Sequence, residues 1–181
     1  LNKELEGNVL FDKFSRGRYS TDASIYQIEP IGTVVPMSNA DVERTINIAK
    51  DEGIPILPRG GGTSQCGQVL GEALIIDTSK QLNRILEFDA ETKTIEVEPG
   101  VVLDDLNRML KPHKLFFPVD ISTGSRATIG GMAGNNACGS RSIRYGNMVH
   151  NVLEIDAILA DGTKAHFGQV SGNLEDIGGP R

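Results

Sequence analysis

Segment 58–68 carries the residues best suited to bind an anion, and it reads Pro58-Arg59-Gly60-Gly61-Gly62-Thr63-Ser64-Gln65-Cys66-Gly67-Gln68. Three adjacent glycines permit backbone conformations that other residues avoid, and they let a ligand approach the backbone N–H groups. Consecutive N–H groups in a turn form a concave nest that binds anions. Thr63 and Ser64 add hydroxyl donors, and Arg59 adds a positive charge at the rim. The segment therefore predicts a cradle for a phosphate or pyrophosphate, with a flexible surface turn as the alternative.

Neither of the two common phosphate-binding loops fits this segment. A dinucleotide fingerprint needs Gly-x-Gly-x-x-Gly at the start of a helix, but Gln65 stands where the third glycine belongs. The next apolar run, 73–77, is typical of a strand rather than a helix. Gly62 and Gly67 have the separation of a Walker loop, but Gln68-Val69 replaces the required Lys-Ser/Thr pair.

A second glycine-rich segment lies downstream and contains Thr128-Ile129-Gly130-Gly131-Met132-Ala133-Gly134-Asn135-Asn136-Ala137-Cys138-Gly139-Ser140. The two windows 59–71 and 124–146 hold 11 of the 21 glycines of the chain. Small residues leave space for a flat, bulky group, and the asparagine side chains can hydrogen-bond its polar edges. Together the windows predict a ligand with a pyrophosphate, a ribityl chain and a polar ring system. A glycine-rich segment for helix packing is the alternative for the second window.

The elements that would position these windows are of mixed type. A helix is predicted from the cap residue Ser38, with Asp41 at the capping-box position, to Gly53. A second helix is predicted from the apolar face of Leu103, Leu106, Met109 and Leu110. The order is not a regular βαβ alternation, so the fold class predicted is α+β. Strands are predicted at 33–35, 54–57, 73–77, 84–88, 94–97 and 153–159, the last followed by the turn Asp161-Gly162.

Composition limits the classes of protein that the chain can represent. Its 181 residues, 39% of them hydrophobic, suffice for one ordinary domain or two small lobes. The net charge of -6 argues against a nucleic-acid partner. The two cysteines are far apart, which predicts neither a metal site nor a disulfide. Without a signal-peptide core or an apolar run of about 20 residues, we expect a cytoplasmic location, free or peripheral to the inner face of the membrane.

Several ordered motifs resemble a known family over nearly the whole chain. These are Pro-Arg-Gly-Gly-Gly-Thr-Ser at 58–64, Pro-x-Asp at 118–120, Thr-Ile-Gly-Gly-Met-x-x-Asn-Asn-Ala-Cys-Gly at 128–139, and Arg-Tyr-Gly at 144–146. The arrangement resembles the FAD-binding domain of the vanillyl-alcohol oxidase / p-cresol methylhydroxylase (PCMH) superfamily. Within it, the chain is most similar to the D-lactate dehydrogenase, glycolate oxidase subunit and D-2-hydroxyglutarate dehydrogenase group.

The resemblance implies a role for particular residues in binding FAD. Arg59, Gly60, Gly61, Gly62, Thr63, Ser64, Gly67 and Gln68 would surround the pyrophosphate. Pro118, Asp120 and Ser122 would lie along the flavin and its linker, and Thr128, Gly130 and Gly131 would bind the phosphate and ribityl side. Asn135, Asn136, Ala137 and Gly139 would continue along the cofactor, with Gly146 and Val149 near its adenosine end. Some relatives attach FAD covalently through a histidine, but Thr63 stands at that place, so the resemblance implies non-covalent FAD.

The resemblance also implies a domain layout. It predicts a PCMH-type FAD-binding domain of two α/β lobes: an N-terminal segment 1–29, a first lobe 30–100 with the pyrophosphate loop, and a second lobe 101–181 with the flavin-binding segment. The family continues with a closing strand and a substrate domain, which the 181 residues do not contain. We therefore expect a C-terminally truncated domain from a longer enzyme.

The resemblance further implies a flavin-dependent oxidation of a D-2-hydroxy acid, with hydride transfer to the flavin and an electron acceptor of unknown identity. The catalytic residues, and the C-terminal substrate domain that supplies them, are expected outside these residues, so residues 1–181 alone are expected to be inactive. Another flavoenzyme of the same fold, such as a sugar-lactone oxidase or an enolpyruvyl-sugar reductase, is one alternative. A non-enzymatic nucleotide-binding module is the other.

Overall fold

A computed structural model describes residues 1–168, so the end of the predicted second lobe, 169–181, lies outside the described residues. Helices and strands both occur, and they follow one another without a regular βαβ alternation, as the α+β prediction requires. The strands are β1 (Asn8–Leu10), β2 (Gly32–Val35), β3 (Ile56–Arg59), β4 (Leu74–Asp77), β5 (Ile85–Asp89), β6 (Thr94–Val97), β7 (Ile155–Ile158) and β8 (Lys164–Phe167). The α-helices are α1 (Lys13–Tyr19), α2 (Asn39–Asp51), α3 (Leu103–Leu110), α4 (Ile129–Gly134), α5 (Ser142–Tyr145) and α6 (Met148–Asn151), and a 3₁₀ turn spans Lys111–His113.

The N-terminal half is built on a four-stranded sheet in the order β1-β2-β4-β3. Strands β2, β4 and β3 are parallel, while β1 is antiparallel to β2. Both central strands are buried along their whole length, which suits the apolar residues at 34–35 and 74–76. Arg59 is paired with Asp77, so β3 and β4 end together at one edge of the sheet. The glycine loop after Arg59 therefore begins beside the residues that follow Asp77.

Helix α2 begins as the sequence predicts but uses its acidic residue differently. The side chain of Ser38 accepts a hydrogen bond from the amide of Asp41, which confirms the cap. The carboxylate of Asp41 does not close a capping box. It accepts instead from the amides of Glu6, Gly7 and Met37, and this ties the N-terminal segment to the helix.

Strand β3 starts two residues later than the predicted strand 54–57, and it runs on to Arg59. The amide of Ile54 donates to the carbonyl of Ala49 and so belongs to the end of α2. Pro55 has no N–H group to donate to a ladder. The register with β4 begins at Ile56, with only the carbonyl of Pro55 accepting from the amide of Leu74, and it brings Arg59 into the sheet rather than into the loop.

The predicted hairpin of 84–88 and 94–97 is confirmed as β5 and β6. It packs against α3, whose buried face is Leu103, Leu106 and Leu110 as the spacing predicts. A further apolar cluster joins the start of α3 to the second glycine window through Val119, Ala127, Met132 and Met148. The predicted alternation at 153–159 forms β7, which pairs with β8 around Gly162 at φ +85°. Among residues 1–168, the helices are all too short or too polar to cross a bilayer.

Candidate functional site

The first glycine loop turns sharply and leaves its backbone amides free. Gly62 and Gly67 have φ values of +65° and +70°, a left-handed conformation in which glycine avoids strain. Within the described residues, the N–H groups of 60–64 donate no hydrogen bond to the protein. Five successive free amides around a left-handed residue have the character of an anion-binding nest.

Ser64 organises the second half of this loop. Its Oγ accepts from the amides of Cys66, at 3.1 Å, and Gln68, at 3.4 Å, and it donates to Oε1 of Gln68 at 3.0 Å. Both side chains were predicted to bind the cofactor, and the structure gives them partners within the loop. The loop is therefore shaped internally only beyond Ser64.

Gly60 and Gly61 bring the two glycine windows into contact. A Cβ at Gly60 would collide with Oγ1 of Thr128, and a Cβ at Gly61 would collide with the carbonyl oxygen of Arg126. Neither residue has a positive φ, so the need for glycine at Gly61 arises from this close approach and not from an unusual backbone conformation. The two windows, which are far apart in sequence, thus form one site.

The guanidinium of Arg59 lies next to Gly62 of the loop and is held by neighbouring backbone. It donates to the carbonyl oxygens of Tyr19, at 3.4 Å, and Thr21, at 2.8 Å. It also lies over the Tyr19 ring, 5.4 Å from the centroid. Because carbonyls are neutral partners, the positive charge of Arg59 is retained next to the loop.

An open cleft of about 320 Å³ lies beside the two glycine windows. The cleft holds four cationic side chains and one carboxylate, that of Asp77, on a chain whose net charge is -6. None of the four cations forms an ion pair within residues 1–168. A positive potential is therefore concentrated here. The lining residues are Arg18, Tyr19, Arg59, Gly60, Gly61, Asp77, Ser79, Lys80, Val102, Ser125, Arg126 and Thr128.

The single carboxylate of the cleft, that of Asp77, is buried, and both of its oxygens accept hydrogen bonds. It accepts from the Tyr19 hydroxyl at 2.6 Å, and its other oxygen accepts from the amide and hydroxyl of Ser79. Burial, together with the hydrogen bond to Asp77, raises the pKa of Tyr19 well above its usual range. Tyr19 is thus a neutral donor in the working pH range, and Asp77 serves to hold the cleft wall.

Several cleft residues were not predicted from the sequence. A signal existed for Asp77, Ser79 and Lys80, because they are polar residues that follow a buried strand directly. Arg126 stands just before Thr128 and could have been grouped with the second window. Arg18 and Tyr19 gave no signal, since only the fold brings α1 to the sheet edge.

In the second window, the amides of Gly130 and Gly131, two of the predicted phosphate and ribityl residues, are used within the protein. Thr128 caps α4, and its Oγ1 accepts from the amide of Gly131 at 3.3 Å. The amide of Gly130 donates to the carbonyl of Pro99 at 2.8 Å, and a Cβ there would lie 2.5 Å from Cβ of Pro99. Gly130 therefore has the helix-packing role that the sequence left open as an alternative.

Asp120 fixes the loop at the end of this window. Its carboxylate accepts from the hydroxyl of Ser140 at 2.8 Å, the amide of Arg141 at 3.0 Å and Nε of Arg141 at 2.8 Å. These hydrogen bonds, first those from Arg141 and then that from Ser140, hold the pKa of Asp120 well below its usual range. Gly139 packs directly on Asp120, where a side chain would collide. Pro118 and Ser122 flank this anchor in the chain, on partly buried and exposed backbone respectively.

Two of the remaining predicted residues, Asn136 and Val149, line a second, apolar hollow of about 280 Å³. Asn136 has φ +46°, and its Oδ1 accepts from the amide of Val149 at 3.0 Å. Val149 is 65% exposed, and Gly146 has φ +78° against the ring of His150. Asn135 ends α4, next to Ala137 and Asn136. The hollow is lined by Ala133, Asn136, Met148, Val149, Val152 and Ile155.

The three histidines have structural surroundings. His150 accepts the amide of Asn147 in a capping box, His113 packs edge-on to Phe88, and His166 pairs with Asp156. None of them lines the cleft. Across residues 1–168, no three His, Cys, Asp or Glu side chains are grouped as a metal site would require. Both cysteines are free and exposed.

An α+β domain with free loop amides beside a cationic cleft is a domain for binding a phosphate-bearing cofactor. The family described as FAD binding domain matches residues 30–168, and the chain belongs to this family. FAD is accordingly the cofactor. The five amides and the four cations that have no partner within residues 1–168 suit its pyrophosphate.

Similar curated proteins are much longer than this chain. D-2-hydroxyglutarate dehydrogenase from Pseudomonas putida is 38% identical over 168 residues, which are 91% of this chain and 17% of that protein. Its counterpart from Escherichia coli is 44% identical over 146 residues, or 79% of this chain and 14% of that protein. Glycolate oxidase subunit GlcD from Bacillus subtilis is 35% identical over 163 residues, with coverages of 88% and 35%. The chain thus spans about a sixth of the first relatives that it matches.

Solved structures share the fold. An alkyldihydroxyacetonephosphate synthase superposes with a TM-score of 0.81 at 20% identity, covering 92% of this chain and 33% of that one. The 6-hydroxy-D-nicotine oxidase from Arthrobacter nicotinovorans gives 0.79 at 20% identity, covering 91% and 36%. The predicted α+β fold of a PCMH-type FAD-binding domain is confirmed.

Proposed function

We propose that this chain is the FAD-binding part of an oxidoreductase that acts on a D-2-hydroxy acid of the lactate, glycolate or 2-hydroxyglutarate type. The observation that carries the proposal is the row of free amides at 60–64 beside the cationic cleft. The substrate class is supported by the names of the similar proteins, which are dehydrogenases of D-2-hydroxyglutarate and D-lactate and a glycolate oxidase subunit.

The first loop would hold the pyrophosphate. The amides of 60–64 would donate hydrogen bonds to its oxygens. The positive charge of Arg59, next to the loop, would stabilise the negative charge of the pyrophosphate. Ser64 and Gln68 would keep the loop in shape through their mutual hydrogen bond. FAD, when bound, supplies the acceptor for the hydride of the oxidised carbon.

The second window would complete the site mainly through close backbone packing. Gly130, Gly131 and Gly139 use their amides within the protein, so their contribution would be to keep the backbone compact where the cofactor lies. Asn135 and Asn136 would offer side-chain amides. Val149, which lines the apolar hollow, and Gly146 would lie near the adenosine end.

Two further parts of the proposal concern attachment and catalysis. Thr63 stands where some relatives have the histidine that is bonded covalently to FAD. A threonine hydroxyl cannot form that bond, so FAD would be held non-covalently. The hydroxy acid, its catalytic base and an electron acceptor would meet the flavin through a C-terminal substrate domain of the full-length protein.

The test uses the full-length protein. Acid precipitation should release the flavin into the supernatant, whereas flavin in the pellet would contradict non-covalent binding. Anaerobic mixing with D-lactate, glycolate and D-2-hydroxyglutarate should bleach the flavin absorbance with at least one of them. L-lactate and L-2-hydroxyglutarate serve as matched controls for handedness. Bleaching by a sugar lactone or by NADPH alone would instead assign another flavoenzyme activity of the same fold.

A further inference from the structure

The segment 20–28, here called the strap, forms a small closed turn just after α1. Thr21 and Gln27 form an antiparallel bridge, and the amide of Ile28 donates to the carbonyl of Ser20 at 3.0 Å. Within it, Asp22 accepts from the amide of Ser24, whose Oγ accepts from the amide of Tyr26. The strap is thus shaped by its own hydrogen bonds, as a small rigid element should be.

The strap and the end of α1 hold the first end of the glycine loop. Arg59 immediately precedes Gly60, and its guanidinium donates to the carbonyls of Tyr19 and Thr21. The aromatic face of Tyr19 lies over the same guanidinium. Tyr19 in turn is fixed to β4 through Asp77.

The strap also contacts the far end of the loop. A Cβ at Gly67 would lie 3.0 Å from Cδ2 of Tyr26 and 3.7 Å from Oγ of Ser24. Tyr26 remains 55% exposed, so its ring covers the loop from outside and is not part of a core. Its hydroxyl has no hydrogen-bond partner among residues 1–168.

The loop between these two contacts has little support of its own. The amides of 60–64 make no hydrogen bond to the described protein, and the second half of the loop is held mainly by Ser64, with one further bond from the amide of Leu70 to the carbonyl of Gly67. A turn binds an anion more tightly when its amides already have the bound orientation, because the binding free energy is then not reduced by the entropy lost on ordering the loop. The family match starts at residue 30, so the strap lies outside it.

We propose that the strap, together with the end of α1, clamps both ends of the glycine loop in its cofactor-binding shape. Tyr26 of the strap is the positioning residue at the Gly67 end, and Tyr19 of α1 and Thr21 of the strap act at the Arg59 end. This inference rests on the proposed role of the loop as the pyrophosphate cradle. In this proposal Tyr26 acts on FAD binding through its contact with Gly67 of the loop.

The test measures FAD binding to flavin-free full-length protein by quenching of flavin fluorescence, for the parent and for Tyr26→Ala. Loss of an aromatic packing contact should raise the Kd by about three- to tenfold. Tyr26→Phe keeps the ring and should bind as the parent does. Ile25→Ala is the matched control, because Ile25 is 96% exposed on the same strap.

Thermal unfolding distinguishes positioning from general stability. Tyr26→Ala should melt like the parent without FAD and at a lower temperature than the parent with subsaturating FAD, because ligand stabilisation follows affinity. An unchanged Kd, or an equal loss of stability with and without FAD, would overturn the clamp. Gly61→Val separates the two ideas: unchanged FAD binding in that variant would refute the loop as the cradle, whatever Tyr26→Ala does.

Discussion

The phenol oxygen of Tyr19 donates a hydrogen bond of 2.6 Å to Oδ2 of Asp77, joining the last residue of α1 to the last residue of β4. Both residues are buried, with 6% and 2% of their surfaces exposed. The bond fixes an element that precedes the family match to the edge of the sheet where the glycine loop begins. The wall of the cleft therefore depends on this pair.

Tyr19→Phe should lower the free energy of unfolding by about 1–2 kcal/mol, because a buried carboxylate oxygen loses a donor while the ring packing stays. Urea denaturation at neutral pH would measure the change. Tyr26→Phe removes a hydroxyl that has no partner in the described residues, and it should leave the urea midpoint where it is. Equal effects of the two variants would contradict a role for the Asp77 bond.

The same pair predicts how stability depends on alkaline pH. The pKa of Tyr19 is raised in the folded protein by burial and then by Asp77, so the unfolded state loses its proton first. Stability from Tyr19 is therefore complete below a pH of about 10, the pKa of an unperturbed tyrosine, and it declines as pH rises further. In Tyr19→Phe this part of the alkaline decline should be missing from urea midpoints measured between neutral and alkaline pH. A decline of the same steepness in both proteins would show that other groups cause it.

The elements of this fold could be predicted where their pattern is local. The cap at Ser38, the apolar face of α3 and both hairpins are encoded within about ten residues each, and all were confirmed. The start of β3 was predicted two residues early because Ile54 fits a strand by composition but is used by the end of α2. Long-range pairing decided that boundary.

The site was harder to predict because its parts meet only in the fold. The glycine windows were visible in the sequence, but the contact of Gly61 with Arg126 was not. The cations Arg18 and Lys80 lie on different elements, and no spacing in the sequence relates them to the loop. The hydrogen bonds between Asp120 and Arg141 were also not predictable, because the two residues are 21 positions apart and meet only when the chain folds back.

Asp120→Asn should loosen the loop at 139–141, because an amide cannot accept all three hydrogen bonds as a carboxylate does. We expect weaker FAD binding and faster proteolysis of that loop.

The pKa of Asp120 is lower in the folded protein than in the unfolded chain. Its contribution to the free energy of unfolding is therefore present above the unfolded pKa near 3.9 and is lost as pH falls from there through the folded pKa. Asp105→Asn is the matched control. The Asp105–Arg108 ion pair is 2.7 Å long, close to the 2.8 Å of Asp120–Arg141, but the Asp105 side chain is more exposed than that of Asp120. Equal behaviour of both variants would remove any special role for Asp120.

Gly61→Val should cost roughly 1–3 kcal/mol of stability and should weaken FAD binding severely, because its Cβ would meet a backbone oxygen that no side-chain rotation can move. Gly134→Ala is the control within the second window, since nothing lies within 4 Å of a Cβ there. Thermal unfolding and flavin content of the purified proteins would measure both effects. Arg59→Ala should have a smaller effect on binding than Gly61→Val, because it removes one charge and leaves the amides in place.

The cationic cleft predicts a dependence of FAD binding on salt. Lys80 and Arg126 are exposed and unpaired within the described residues, and an anion in the cleft would be attracted to both. Replacing each with Gln should raise the Kd for FAD by about two- to fivefold at low ionic strength, a range set by exposed charge interactions of under about 1 kcal/mol. The difference from the parent should shrink as salt is added, because the Debye length falls to about 8 Å at physiological ionic strength. Lys111→Gln is the control. Lys111 follows the end of α3 that is away from the cleft and does not line the cleft, so this variant should change neither the Kd nor its salt dependence. If Lys80→Gln and Lys111→Gln behave alike, the cleft does not contribute to holding the pyrophosphate.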